Sequence, residues 1–231
     1  MRIELTSEEL QVFSIAFKAQ PPFEVEDVFD GKPLEYIQPR VNDICEKYIK
    51  AGILGSPEFE TLMLRFLFPQ KIMSVFSKNT YWMCIMSSQI GLCARYYNGQ
   101  TGKYLLWTIN SNEEANATIL KMIRLGDVKA SQKQKACFTG DEFAAEVRNN
   151  FHGMDNIASR AYSACINNDL MLVNENNEKG YPLIVTTQFN TSVDGIWYLK
   201  AQIEDDRSFV EAGLTDTDGL INTALYELRM K

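Results

Sequence analysis

Few side chains in this 231-residue sequence have the types and spacing that catalysis requires. The single histidine, His152, would need a nucleophile and an orienting acid to act as a general base, and no recognisable set accompanies it. Its place beside Gly153 is typical of a helix end, where an imidazolium interacts favourably with the helix dipole. The sequence therefore predicts no catalytic residue and no enzyme.

Two short motifs resemble ligand-binding loops but lack essential parts of them. The segment Gly99-Gln100-Thr101-Gly102-Lys103 resembles the end of a phosphate-binding loop, yet it lacks the four-residue spacing between the glycines and the Ser or Thr after the lysine, and it joins two predicted strands. The segment Asp216-Thr217-Asp218-Gly219 resembles part of a calcium loop, but an apolar helix replaces the later ligands. We interpret the first motif as a hairpin turn and the second as a helix cap.

The cysteines are odd in number, widely scattered and without a CxxC pair, which with one histidine argues against a zinc site and a disulfide framework. We expect reduced thiols in a cytosolic protein, with no metal and no cofactor. The cysteines are Cys45, Cys84, Cys93, Cys137 and Cys165.

The net charge of -7 argues against binding to nucleic acid or to an anionic membrane, because a polyanion would be repelled. The one basic cluster, Lys129, Lys133 and Lys135, lies in a polar connector, which favours a solvated linker over a phosphate-binding patch. The start of the sequence lacks the apolar region of a signal peptide, and no run approaches the roughly 20 apolar residues of a membrane span. We expect a cytoplasmic protein without membrane insertion.

The stretch from Gln70 to Arg124 predicts a four-stranded antiparallel meander followed by an amphipathic helix. Asn98-Gly99 with a second glycine at Gly102 supplies the backbone conformations of a tight hairpin. The spacing Thr6/Glu9 and the spacing Thr139/Glu142 predict capping boxes at two helix starts. The predicted helices cover residues 6–19, 40–51, 56–68, 111–124, 139–151, 155–166 and 217–229, and the predicted strands cover residues 71–77, 81–86, 92–97, 104–109, 181–189, 195–204 and 208–214.

The order of these elements predicts an α+β fold with two related halves, each holding an antiparallel sheet and flanking helices. We expect an N-terminal half at residues 1–126 and a C-terminal half at residues 127–231, with the polar segment Leu125–Phe138 as connector. Thr217 is the expected cap of the last helix. In the strand 195–204, alternation predicts Trp197, Leu199, Ala201 and Ile203 facing inward and Tyr198, Lys200, Gln202 and Glu204 facing outward.

This order of elements resembles the EspG-type chaperones of type VII (ESX) secretion systems. The matching residues are Leu5-Thr6 through Leu10, Ala51-Gly52-Ile53-Leu54 with Glu58–Leu67, the strands Lys71–Ile109, and the ending from Asp194-Gly195-Ile196 through Leu214-Thr215 to Leu228. The resemblance implies a non-enzymatic cytosolic protein that grips the tip of a helical hairpin in a secreted partner. It also places the family's substrate-binding loop at Ser87–Gly91, where the shortness of the segment favours a partner from a different helical-hairpin class.

Exposed aromatic and long polar side chains on rigid strands make good binding anchors. We therefore expect partner binding through Tyr96, Tyr97, Gln100 and Lys103 around the first hairpin and through Tyr198, Lys200 and Gln202 on the second sheet. An alternative function is that of an immunity or regulatory protein, whose acidic surface would bind a basic toxin. Neighbouring genes for helical-hairpin secreted proteins would favour the chaperone, and a neighbouring nuclease gene would favour the alternative.

Overall fold

The computed structural model of the chain describes residues 1–77, 80–151, 156–168, 170–176, 183–204 and 207–228. In chain order these residues form β1 (Arg2–Thr6), α1 (Ser7–Ala16), α2 (Leu34–Lys50), α3 (Pro57–Leu67), β2 (Lys71–Ser77), β3 (Thr80–Ser88), β4 (Gly91–Asn98), β5 (Lys103–Ile109), α4 (Asn112–Ile123), β6 (Gln134–Thr139), α5 (Gly140–Arg148), α6 (Ile157–Cys165), β7 (Met171–Asn176), β8 (Leu183–Ser192), β9 (Gly195–Glu204), β10 (Arg207–Thr215) and α7 (Thr217–Leu228).

The chain divides into two units, and each contains an antiparallel sheet with helices. Unit 1 comprises Met1–Gln70 and Trp82–Ser111, and its strands follow the order β1, β5, β4, β3. Unit 2 comprises Lys71–Tyr81 and Asn112–Lys231, and its strands follow the order β2, β7, β8, β9, β10, β6. The predicted α+β class with antiparallel sheets is confirmed, while the boundary expected near residue 126 stays a prediction.

The helices of unit 1 fill its core with large side chains. Phe13 of α1 is fully buried, and its ring meets the rings of Tyr48 and Phe59 at centroid distances of 5.1 and 5.0 Å in edge-to-face geometry. Leu62 and Phe66 extend the same stripe of α3 and are buried as well. Aromatic residues at helical spacing therefore serve packing here, as expected from their position on one helix face.

Unit 1 also encloses a cation. The Arg95 side chain on β4 is 1% exposed, and its guanidinium donates to the backbone carbonyl of Phe23 and lies 5.4 Å from the centre of the Tyr104 ring. Among the described residues no carboxylate forms an ion pair with it. A carbonyl dipole and two aromatic faces, those of Phe23 and Tyr104, compensate part of the lost hydration.

The core of unit 2 is built from both its sheet and its helices. Trp197 of β9 packs against Ala158, Ala161 and Cys165, the small buried residues of α6. These small side chains let the helix approach closely, so that the Cys165 thiol lies 3.5 Å from the backbone oxygen of Trp197. Burial raises the pKa of this thiol to about 12, so it stays protonated well above neutral pH.

Connectivity repeats between the two parts of the chain. β1 pairs with β5, the last strand of the first meander, and leads directly into α1. β6 pairs with β10, the last strand of the second meander, and leads directly into α5. The sequence did not predict β1, β6 or β7. β1 and β6 are short edge strands of five and six residues, and β7 was interpreted as a short apolar piece between loops.

Local signals placed most helix starts correctly. Thr6 and Thr139 both form complete capping boxes, with Glu9 and Glu142 as their partners. Two expectations were wrong. The side chain of Asp216 caps α7 by accepting a 2.8 Å hydrogen bond from the Gly219 amide, whereas Thr217 is the first helical residue.

The second wrong expectation concerns α2, which begins at Leu34 and contains Pro39, whereas the sequence placed its start after that proline. Proline has no backbone donor and favours the first turn of a helix, so Pro39, the sixth residue of α2, was a misleading signal of the helix start.

The predicted hairpin of unit 1 is confirmed. Gly102 has a φ of 65°, and its amide donates to the carbonyl of Asn98 over 2.9 Å, which closes the turn between β4 and β5. A phosphate-binding loop would require a helix after the glycines, and here a strand follows. The interpretation of residues 99–103 as a turn therefore holds.

Candidate functional site

The residues predicted around the first hairpin do not form one patch. Tyr96 and Tyr97 are adjacent on β4, so their side chains leave opposite faces of the sheet. The Tyr97 ring rests on Tyr104 at a centroid distance of 4.8 Å, and both Tyr96 and Tyr97 are half-buried. Gln100 and Lys103 are exposed at the turn and its exit. A partner at the hairpin would therefore contact Gln100 and Lys103 together with only one of the two tyrosines.

The turn between β3 and β4 exposes apolar side chains at one end of unit 1. Ile90 in this turn is 49% exposed. The end of α3 lies beside the turn, because the amide of Gln70 donates to the carbonyl of Ser87 over 2.7 Å. Leu64 and Phe68 at this end of the helix are also more than 40% exposed. We call Leu64, Phe68 and Ile90 the apolar end of unit 1.

Arg65 fixes the geometry of this apolar end. Its guanidinium donates to the carbonyls of Leu92 and Ile109 over 3.0 and 3.3 Å, which ties α3 to the paired strands β4 and β5. Gly91 has a φ of 127°, and a side chain there would meet the Arg65 guanidinium at 2.9 Å. The turn thus requires glycine at this position for two reasons, its backbone conformation and the space that Arg65 occupies.

Unit 2 carries a groove of about 450 Å³ over the end of its sheet. The register aligns Lys200 with Glu211 and Cys137 in one row, and Gln202 with Phe209 and Thr139 in the next. These rows run across β9, β10 and β6 on one face of the sheet. We call this surface the β6 groove, and its lining residues are Cys137, Phe138, Thr139, Glu142, Lys200, Gln202, Phe209, Val210 and Glu211.

Glu211 organises the charges in the β6 groove. Its carboxylate accepts a 2.8 Å hydrogen bond from the Tyr198 hydroxyl and pairs with the Lys135 ammonium at 3.2 Å. Burial is the largest single influence and by itself would raise the pKa of Glu211, but the bonds from Tyr198 and Lys135 together outweigh it and lower the pKa. Glu211 is therefore ionised at neutral pH and compensated within its own chain.

Two predictions of exposure on β9 were wrong. Tyr198 faces outward from the helices α5 and α6 but is only 7% exposed, because its ring lies over Gly213, where a Cβ would approach it to 2.6 Å. Ile203 was expected to face inward and is 58% exposed, since the cluster of α5 and α6 packs around Trp197 and Leu214 instead. Of the residues predicted on the second sheet, the structure places Lys200 and Gln202 together in the groove.

Sequence reasoning missed Phe209, Glu211 and Cys137 as residues of the same groove. Alternation along β10 could have indicated Phe209 and Glu211, whose side chains share a face of the strand. Nothing local could have indicated Cys137, because β6 was interpreted as part of a polar connector.

The connector lysines are in ion pairs. Lys129, Lys133 and Lys135 contact Asp127, Asp216 and Glu211 at 3.0, 2.7 and 3.2 Å, which favours their structural interpretation over a phosphate-binding patch. In the described ranges no group of three or more side chains could hold a metal ion, and His152 lies outside those ranges. No helix in the described part of the chain has the length and apolar character needed to cross a bilayer.

No protein-family model matches the sequence, and no curated protein matches it. Solved structures do match the fold. One is the Mycobacterium tuberculosis type VII secretion system chaperone EspG5, determined in complex with a PE25–PPE41 dimer. The match has a TM-score of 0.60 at 9% sequence identity and covers 99% of this chain and 95% of that chain. The chain therefore has the EspG fold over its whole length, with a strongly divergent sequence.

Proposed function

We propose that this chain is a non-enzymatic cytosolic chaperone that binds a helical-hairpin protein secreted by a type VII (ESX) system. The observation that carries the proposal is the likeness in fold to EspG5, which spans both chains almost completely. That EspG5 structure was determined in complex with a PE25–PPE41 dimer. Two surfaces of the chain, the apolar end of unit 1 and the β6 groove, are suited to protein binding. The described part of the chain contains no recognisable catalytic set.

We propose that the apolar end of unit 1 binds the tip of the helical hairpin of the secreted partner. Leu64 and Phe68 are exposed one helical turn apart, and Ile90 is exposed in the β3–β4 turn. The hydrogen bonds of Arg65 and Gln70 connect the end of α3 to the strands that flank this turn. Covering three such side chains on binding would contribute several kcal/mol at about 25 cal/mol per Å² of apolar surface. Gln100 and Lys103, with one of Tyr96 and Tyr97, lie toward the opposite end of β4 from Ile90, and we propose that they contact the partner away from its tip.

The first experiment is affinity capture of the tagged chain from its native cytosol, followed by mass spectrometry. We expect a secreted protein with a predicted helical hairpin as the main captured species. Capture of a toxin that the chain inhibits would replace this function with that of an immunity protein.

The second experiment locates the surface with matched variants of the purified complex. We expect Phe68→Asp with Ile90→Asp to weaken binding at least tenfold, because each change places a charge in an apolar contact. Val193→Asp is the control, since Val193 is a fully exposed apolar residue in the β8–β9 turn of unit 2. Equal binding by both proteins would refute the apolar end as the contact surface.

A further inference from the structure

The turn between β4 and β5 contains an asparagine followed directly by a glycine, Asn98 and Gly99, and this dipeptide occurs nowhere else in the chain. Asparagine is chemically labile in this context, because a following glycine has no side chain to obstruct attack of its backbone nitrogen on the carboxamide. Asn98 is half-buried and Gly99 is exposed. Water therefore reaches both reacting groups.

The side chain of Asn98 folds back over its own peptide unit. Its Oδ1 atom accepts a hydrogen bond from the Gln100 amide over 3.1 Å. The ring that this bond closes contains both the carboxamide carbon of Asn98 and the backbone nitrogen of Gly99. The same bond withdraws electron density from the carboxamide and makes its carbon more electrophilic, as a donor in an oxyanion hole does.

The attacking and leaving nitrogens are not held by the hairpin. The turn is closed by bonds from the amides of Thr101 and Gly102 to the carbonyl of Asn98, over 3.2 and 2.9 Å. In the described part of the chain, no hydrogen bond involves the Gly99 amide or the Nδ2 atom of Asn98. Both nitrogens can therefore react without the loss of a bond that stabilises the fold.

We propose that Asn98 is a site of spontaneous deamidation. The backbone nitrogen of Gly99 forms a bond to the carboxamide carbon of Asn98, and the bond from that carbon to Nδ2 breaks. Nδ2 leaves as ammonia and takes the proton of the Gly99 amide with it, which leaves a succinimide ring. Water then opens the ring at one of its two carbonyls and produces aspartate or isoaspartate at position 98.

The products change the charge and the shape of the hairpin. Asn98 lies directly opposite Lys103 in the register of β4 and β5, so a carboxylate at position 98 faces a cation. In isoaspartate the chain continues through the former side chain, and the carbonyl that accepts the amides of Thr101 and Gly102 becomes a free carboxylate. The turn then rearranges around Gln100 and Lys103. An effect on partner binding rests on the proposed function, which includes these two residues as contacts.

Incubation of the purified chain in mildly alkaline buffer, followed by peptide mass spectrometry, tests the reaction. We expect the peptide with Asn98 to change in mass by the exchange of an amino group for a hydroxyl group, and an isoaspartate methyltransferase to label it. Asn110, an exposed asparagine followed by Ser111, is the internal control and should react more slowly. Equal rates at the two asparagines would overturn the proposal.

Gly99→Ala is the matched variant, because it obstructs the attack and spares the fold. The nearest neighbour of a Cβ at Gly99 is the Tyr97 ring at 3.9 Å, which is an ordinary contact. The same change at Gly102 would be strained, since Gly102 has a φ of 65°. We expect Gly99→Ala to keep the wild-type melting temperature and to deamidate roughly tenfold more slowly. An unchanged rate would refute attack by the Gly99 nitrogen.

These measurements need no partner, so they test the reaction separately from the proposed function. With a captured partner, we expect the aged chain to lose affinity relative to the fresh chain. Asn98→Asp carries the new charge on an unaltered backbone, and it should retain more affinity than the isoaspartate form. Equal binding by the aged and fresh chains would refute the effect on the partner, while the mass measurement decides the deamidation by itself.

Discussion

The pair β1–α1 in unit 1 and the pair β6–α5 in unit 2 share the same hydrogen bonds at the helix start but lie in different environments. In both, an edge strand ends in a threonine whose side chain accepts a hydrogen bond from the backbone of a glutamate three residues later. The glutamate accepts one in return from the threonine amide, over 2.9 Å in unit 1 and 2.8 Å in unit 2. The local geometry of the two helix starts is therefore nearly identical.

The two helix starts differ in burial. Glu9 is 9% exposed and forms an ion pair with the Lys47 ammonium at 2.8 Å, whereas Glu142 is exposed and lines the β6 groove. The helices that follow differ in the same way, because α1 buries six of its ten residues and α5 buries none. A shared sequence motif thus fixes where a helix begins, while the surrounding elements decide how much the helix contributes to stability.

The largest expected difference between α1 and α5 is the loss of unfolding free energy when an aromatic residue is replaced by alanine. Phe13→Ala should lower the free energy of unfolding by about 3–5 kcal/mol, because Phe13 is fully buried among aromatic rings. Phe143→Ala should cost less, since this ring is half-buried and meets its neighbours at centroid distances near 6 Å. Urea denaturation of both variants measures the difference, and equal losses would contradict the contrast between α1 and α5.

The next effect concerns Glu9. Burial, the largest single influence, would raise the pKa of Glu9, but hydrogen bonds from Lys47, Thr6 and Tyr48 together outweigh it and lower the pKa. Because the pKa of Glu9 is lowered in the folded protein, ionised Glu9 stabilises the folded state at pH values above 4.5, its ordinary pKa. This stability is lost as the pH falls through the pKa of the folded state.

Glu9→Gln should therefore destabilise the protein at neutral pH by about 1–2 kcal/mol, the usual scale for a hydrogen bond to a charged group. The difference from wild type should shrink below the folded pKa, because wild-type Glu9 is protonated there. Thermal melts across that pH range provide the test, and a constant difference at every pH would assign the effect to packing instead.

The two threonine caps should contribute equally. Thr6→Ala and Thr139→Ala each remove one side-chain acceptor from a helix start with the same bonds, so each should cost about 1 kcal/mol. Because the N-cap bond is local, burial of the neighbouring glutamate should not alter this cost. A large difference between the two alanine variants would show that tertiary contacts also control the cap.

The smallest effect is expected for Glu142→Gln. The backbone and side-chain hydrogen bonds from Thr139 lower the pKa of Glu142, but solvent screens the carboxylate, and glutamine can still accept the backbone bond. We expect a much smaller fall in melting temperature than for Glu9→Gln, and one that disappears in high salt. A fall as large as that of Glu9→Gln would contradict the assignment of this carboxylate to the surface.

Local chemistry in the sequence determined most of the helix starts, the first hairpin and the longest strands of this protein. The spacing Thr-x-x-Glu, the pair Asn98-Gly99 and the alternation along residues 195–204 act over a few residues, so they can be recognised without knowledge of the fold. The α+β class followed from their order.

Tertiary structure alone decided which segments form the edge strands and which polar side chains are buried. β1 and β6 are strands because β5 and β10 supply their hydrogen bonds, and a short polar sequence does not reveal such a distant partner. Arg95 is buried because the Phe23 segment covers it, and Tyr198 is buried because Gly213 leaves room for its ring. Each of these outcomes depends on residues far apart in the chain, whereas the caps and turns depend on neighbours.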